Sequence, residues 1–124
     1  MIDDDRAAVA AMRALFATWG AEVAGGRDAR TTLAACGDTA RYPDLIVADL
    51  HLENGACGIA AVLRLRAELD VAIPALIVSG DTAASAHRRV RDAGLALLPK
   101  PVSAAALAAA AATLVAGTPK PLPV

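Results

Sequence analysis

Aromatic side chains are almost missing from this chain. Phe16, Trp19 and Tyr42 are the whole set, 2% of 124 residues, which leaves no platform for stacking nucleobases and requires an aliphatic core. Cysteine is nearly as scarce: Cys36 and Cys57 lack a CxxC spacing and histidine partners, so they read as small buried hydrophobes rather than a metal or redox pair. A surplus of either charge is missing too, with 12 Lys and Arg against 13 Asp and Glu and a formal net charge of −1. Bulk charge therefore gives no hold on nucleic acid or on an anionic membrane, and neither partner is expected. Hydrophobic content reaches 56%, yet much of it is alanine, and Arg, Asp or Glu interrupts nearly every apolar run before it reaches spanning length. No basic region followed by an apolar stretch opens the chain, so a secretory leader is not expected and a cytoplasmic location is.

What is present is a regular alternation of elements within a length that fits one domain, residues 1–116, followed by a Pro-rich tail, 117–124. Val9, Met12, Leu15, Phe16 and Trp19 recur at three- and four-residue steps, which predicts a one-sided helix from Arg6 to Trp19 that Gly20 stops. "AEVAGG" reads as a short strand, and Asp28 as the cap of a helix running to about Cys36 with Gly37 as its end. "PDLIVAD" holds a continuous apolar run typical of a strand buried on both faces, with Asp49 at its end. "GIAAVLRLRAEL" returns to helical spacing, "IPALIVSGD" is a second buried strand, "TAASAHRRVRDAG" a helix and "LALL" a strand. "SAAALAAAAATLVAG" closes the series as a helix with Ser103 as cap and Gly117 as stop, and the prolines of "TPKPLPV" cannot continue it. Strand and helix in alternation imply parallel strands joined by right-handed crossovers, covered on both faces.

In such a sheet, ligands bind outside the carboxyl ends of the strands. Those ends carry Asp3 and Asp4, Asp49, Ser79 and Lys100. Each has a bland reading alone: a strand-end Asp is a turn former or helix cap, Asp3 to Asp5 are a solvated cluster suiting a helix N-terminus, Ser79 before Gly80 is a turn residue, and Lys100 between two prolines is a surface lysine. Together they are a chemistry. Three carboxylates brought close demand a cation, and oxygen ligands without nearby His or Cys select a hard divalent ion, Mg²⁺ or Mn²⁺. A rigidly held Asp49 suits nucleophilic attack on phosphorus, with the metal and Lys100 neutralising the transferred oxygens and Ser79 hydrogen-bonding one of them.

The acidic pair at Asp3 and Asp4, "PDLIVAD" ending at Asp49, "SGD" at Ser79 and "KP" at Lys100 and Pro101 resemble the motif set of two-component receiver domains. These are the phosphoacceptor modules of response regulators and hybrid sensor histidine kinases, and the resemblance runs from Ile2 to about Val115. It implies a flavodoxin-like doubly wound α/β fold with strand order 2-1-3-4-5 and helices on both faces. It implies that Asp49 accepts a phosphoryl group from a histidine kinase or phosphotransfer domain, with Mg²⁺ required. Asp4 would bind the metal directly, Asp3 through water, and the backbone carbonyl of His51 would complete the protein ligands. Lys100 would pair with the phosphoryl oxygens, and Ser79 would move to hydrogen-bond them as the switch. The module is a regulatory phosphoacceptor rather than an enzyme. The His51 side chain would be a loop filler and His87 a solvent-exposed helix residue.

Three departures accompany the resemblance. Leu97 stands where receivers often carry an aromatic, so aromatic gating is not expected. The loop after Asp49 lacks a Met-Pro pair and resembles receivers fused to hybrid sensor kinases, and no output module follows Val115. Finally, Met1 and Ile2 cannot supply a first strand of about five residues. A domain excised from a longer protein or a misplaced start is the expectation. The gap would be filled by the tail through Val124 or by a neighbouring chain, as a homodimer or strand exchange, or the sheet would rearrange. Two other readings use the same residues: a pseudo-receiver that binds partners without phosphorylation, and a haloacid-dehalogenase-like phosphatase. The phosphatase chemistry needs a second Asp two residues after the nucleophile, where this chain has His51.

Overall fold

A computed structural model describes residues 1–36, 43–52 and 55–116. Continuous apolar runs become strands because successive residues enter opposite layers, each covered by helices. Helices α1 (Arg6–Ala17) and α2 (Ala29–Cys36) come first, then strand β1 (Ile46–Asp49), α3 (Gly58–Leu69), β2 (Ala75–Ser79), α4 (Ala84–Asp92), β3 (Ala96–Pro99) and α5 (Ala104–Val115). The three strands are parallel in the order β1-β2-β3, with Ile46 opposite Ala75 and Leu76 opposite Ala96. Ile46, Ala48, Ala75 and Ile77 point into a core closed by α2, α3 and α4, where Val62, Leu65 and Val90 meet them. Val47, Leu76 and Val78 point the other way, onto Leu107 of α5 and the half-buried Met12, Leu15 and Phe16 of α1. The two-faced apolar pattern is thus a sheet sandwiched by helices, as a doubly wound fold requires. Among the described residues, no helix is long and apolar enough to cross a membrane.

Two helix starts follow the predicted caps: Asp28 accepts the amide of Thr31 at 2.8 Å and Ser103 that of Ala106 at 3.0 Å. At the start of α1, Asp5, read from sequence only as part of a solvated acidic cluster, accepts the amides of Ala7 and Ala8. Gly37 and Gly117, the predicted stops, lie outside the described residues. The cysteines are half-buried rather than buried, because each sits at the end of an element; Cys57 Sγ accepts a hydrogen bond from Arg89.

The sheet's first half departs from expectation. "AEVAGG" is not a strand: only Gly26 pairs, in a single bridge to Ile2. Ile2 also bridges Ala48, so this one residue lies between the 21–26 segment and β1, and the sheet does not rearrange. Its amide donates to the Val47 carbonyl at 2.8 Å, its carbonyl accepts the Asp49 amide at 2.9 Å, and the flanking Met1 carbonyl and Asp3 amide bond Gly26. The start of the chain therefore occupies the central position of order 2-1-3-4-5, but one residue deep. With so short a partner, residues 21–24 have no ladder to join, which is why their strand propensity goes unused. The tail proposed as a filler lies outside the described residues.

Candidate functional site

The three-Asp run is divided by local structure into separate tasks. Asp3 ends the central bridge and is 3% exposed, Asp4 turns the chain, and Asp5 caps α1. One Asp3 oxygen, Oδ1, accepts the Asp5 amide at 2.9 Å. The other, Oδ2, is buried without any partner. Across the bridge, Asp49 closes β1, a strand held on both sides by parallel pairing. One carboxylate oxygen each of Asp3, Asp4 and Asp49 lies within 4.8 Å of the others, so three residues far apart in sequence share one small volume. Burial pushes the Asp3 carboxyl above the usual carboxylate range; the Asp5 amide opposes this and the nearby Asp49 charge adds to it.

A buried aspartate with one orphaned oxygen, grouped with two further carboxylates, is the donor set a hard divalent cation requires. The residues present therefore fit Mg²⁺ or Mn²⁺, with Asp3, Asp4 and Asp49 as ligands. The remaining predicted ligand atom, the His51 carbonyl, belongs to a residue two beyond Asp49, held by an antiparallel bridge to Cys57.

A counter-charge is already in place. Lys100 leaves the end of β3 and its Nζ donates to Asp49 Oδ2 at 3.0 Å, the lysine being 40% and the aspartate 13% exposed. Partial burial by itself would lower the ammonium pKa, but the Asp49 hydrogen bond and charge, with Asp3 and Asp5 behind them, hold it above the usual lysine range. The lysine backbone is fixed by its amide donating to the Ser79 carbonyl at 2.8 Å. Ser79 closes β2 and is 2% exposed, and its hydroxyl accepts the Asp81 amide at 3.0 Å. The strand-end residues singled out from sequence thus converge on one rim of the sheet.

Two features went unread in the sequence. Asp81 joins both histidines: His51 Nε2 lies 2.8 Å from its Oδ2, and His87 Nε2 lies 2.8 Å from its carbonyl. The exposed His51 side chain, expected to fill a loop, is instead one arm of a clasp from the β1–α3 loop to the β2–α4 loop. Asp81 is held below the usual carboxylate range, first by the Ala83 amide and then by the His51 hydrogen bond. The second feature is Gly58. A Cβ there would run into the Asp49 carbonyl, and the Gly58 amide donates to the Leu50 carbonyl at 2.8 Å. Glycine lets α3 start against the strand end that carries Asp49. The only sequence signal for it was its place at the first residue of a helix, where glycine has no propensity advantage.

The sequence matches the family model of the response regulator receiver domain over residues 1–112. Among curated proteins, none matches significantly. The structure superimposes on a response regulator receiver domain protein from Clostridium thermocellum with a TM-score of 0.78 at 18% identity, covering 93% of this chain and 90% of that one. A CheY-like receiver domain protein from Methanospirillum hungatei gives 0.77 at 20% identity over 93% and 90%. NtrX from Brucella abortus, solved with ATP, gives 0.78 at 22% identity, covering 93% of this chain but 26% of that one.

Proposed function

Because this chain belongs to the response regulator receiver domain family, whose work is phosphorelay signalling, we propose that Asp49 is its phosphoacceptor and that Asp3, Asp4 and Asp49 hold the required Mg²⁺. The observation that carries this reading is the Asp49 carboxylate, bonded to Lys100 on one side and grouped with two further carboxylates on the other. The donor is the phosphohistidine of a histidine kinase or phosphotransfer domain. An Asp49 oxygen attacks phosphorus, the bond from phosphorus to the donor nitrogen breaks, and the imidazole leaves with the electron pair and takes up a proton. A divalent cation at the cluster supplies positive charge that lets anionic carboxylates and anionic phosphoryl oxygens approach.

The chain's own groups do the rest. The Lys100 ammonium turns from the carboxylate to a phosphoryl oxygen, since both are anions within its reach. Among the described residues the Ser79 hydroxyl accepts from the Asp81 amide and donates to no partner; turning it toward the phosphoryl group is the switch. Leu97, half-buried against the core, leaves this switch without an aromatic partner. The loop after Asp49 favours the receiver of a hybrid sensor histidine kinase as the parent.

The test is intact-mass analysis after incubation with Mg²⁺ and acetyl phosphate. One added phosphoryl group is expected in the native chain, none in Asp49→Asn, and none with chelator. An adduct that persists in Asp49→Asn overturns the assignment, and continuous release of phosphate from many esters favours a phosphatase.

A further inference from the structure

Every polar group of Asp81 is in use. Its amide donates to Ser79 Oγ at 3.0 Å and its Oδ1 accepts the Ala83 amide at 2.9 Å. Its Oδ2 and its carbonyl meet the Nε2 atoms of His51 and His87, each at 2.8 Å. An ionised carboxylate and a carbonyl only accept, so both imidazoles present an N–H at Nε2.

The two histidines stand on separate anchors. His51 lies between Leu50 and Leu52, both buried. The Leu50 amide donates to the Val78 carbonyl at 3.0 Å, and the Leu52 amide to that of Ala56 at 3.0 Å. His87 belongs to the first turn of α4, its amide donating to the Ala83 carbonyl at 3.2 Å. Asp81 itself sits in the irregular segment 80–83 between β2 and α4. Its place is therefore set by what it bonds rather than by a ladder or a helix.

We propose that Asp81 is a positioning residue for the Ser79 switch: pinned by His51 and His87, it keeps its amide on Ser79 Oγ, and the hydroxyl turns to a phosphoryl group as this clasp loosens. The second half rests on the reading of Asp49 as phosphoacceptor, whereas the hold on Ser79 follows from the resting arrangement. Ser79 is 2% exposed, and the Asp81 amide is the one hydrogen-bond partner of its hydroxyl among the described residues. When the hydroxyl turns away, that half-buried amide is left without an acceptor, which is unfavourable unless Asp81 moves with it or toward water. Moving Asp81 stretches the bonds to His51 and His87 together.

The strength of the clasp suits a switch. A bond to an ionised carboxylate is stronger than one between neutral groups, but the His51 side chain is 61% exposed, and exposed pairs of this kind hold weakly. The clasp thus slows and biases the turn without forbidding it. His51 lies two residues beyond Asp49, so a test has to separate action through Ser79 from a direct effect at the acceptor.

The experiment has two arms, both on the full chain. In the first, without phosphoryl donor or metal, hydrogen exchange at the Asp81 amide is read by NMR. His51→Ala and, separately, His87→Ala, both at exposed positions, are each expected to speed it by about two- to fivefold. The Ala106 amide, bonded to Ser103 Oγ, is expected to stay unchanged. In the second arm, adduct formation from Mg²⁺ and acetyl phosphate is followed by intact mass. His51→Ala is expected to form the adduct about two- to fivefold faster than the native chain. His51→Gln, whose side-chain N–H reaches the same carboxylate, is expected to match the native rate. In a Ser79→Ala background, His51→Ala is expected to change nothing. Asp81 exchange unmoved by both histidine variants overturns the proposal. So does a His51→Ala rate effect that persists in Ser79→Ala, which assigns His51 to the acceptor directly. A native chain that takes up no phosphoryl group refutes the phosphoacceptor reading instead, and the first arm then decides the hold on Ser79 by itself.

Discussion

Replacing Asp3 by Asn is expected to stabilise the protein without metal and to abolish its response to metal. The buried Asp3 Oδ2 has no partner, and the Asp3 carboxylate is grouped with those of Asp4 and Asp49. Asparagine keeps Oδ1 as acceptor for the Asp5 amide and turns the orphan into an uncharged NH₂ group within a cluster of two remaining carboxylates. An unsatisfied buried polar atom costs about 1–3 kcal/mol, and more when charged. With an unfolding entropy of about 2.1 cal/mol/K per residue, each kcal/mol moves the Tm of a chain this size by about 4 °C. The apo variant should therefore melt about 4–12 °C above the native chain at pH 7.5 in chelator. Native protein in Mg²⁺ at ten times its Kd gains about 1.4 kcal/mol, or roughly 5 °C, from binding to the folded state alone; the variant should gain little. Differential scanning calorimetry with and without Mg²⁺ reads both effects. An apo Tm that falls or stays put, or equal Mg²⁺ responses in the two proteins, would refute the reasoning.

Lys100→Gln should slow adduct formation with acetyl phosphate at least tenfold in a mass-spectrometric time course, since its ammonium is the counter-charge nearest Asp49; an unchanged rate removes it from the site. Gly58→Ala should cost about 1–3 kcal/mol in urea unfolding, because α3 must back away from the Asp49 carbonyl. Asp28 is held below the usual carboxylate value of 3.8 by the Thr31 amide and then the Thr31 hydroxyl. The stability it lends is therefore complete above the unfolded value near 4 and is lost as pH falls through the lower folded value. Asp28→Asn should flatten that part of an acid titration followed by circular dichroism, and overlaid curves would exclude the cap as a source. Asp70, left-handed at φ 56° at the end of α3, should accept glycine with a gain of about 0.5–1 kcal/mol, measured by the same urea unfolding.

Helices and buried strands were readable because their signals are local: Val9, Met12 and Leu15 mark a face, and "LIVAD" and "ALIVS" each fill a strand between two helix layers. The acidic cluster was readable because strand ends in a parallel sheet converge, so that Asp3, Asp49 and Lys100 could be placed without knowing a single distance. What stayed hidden depends on partners. "AEVA" has the composition of a strand, yet a strand exists only in pairs, and its neighbour is one residue long. The joining of His51 and His87 through Asp81 is a contact between two loops whose relative position no periodicity encodes. The need for glycine at position 58 arises from an approach of α3 to a carbonyl nine residues earlier, which only packing reveals.

The single-residue bridge at Ile2 also divides the molecule by how readily its parts open. Apart from that bridge and its flanking bonds, residues 21–36 touch the rest mainly through α2 against α3, whereas β1, β2 and β3 are laddered throughout. Segments with few buried contacts open below the free energy of global unfolding and as a unit. Amides of α2 should then exchange through a sub-global opening, while those of β2 wait for complete unfolding. That opening would release Gly26 from the residues flanking Ile2 and with it one support of Asp3. If the acidic cluster binds a cation as proposed, its ligation and the closure of residues 21–36 would be one equilibrium seen from two ends, each favouring the other by the same factor.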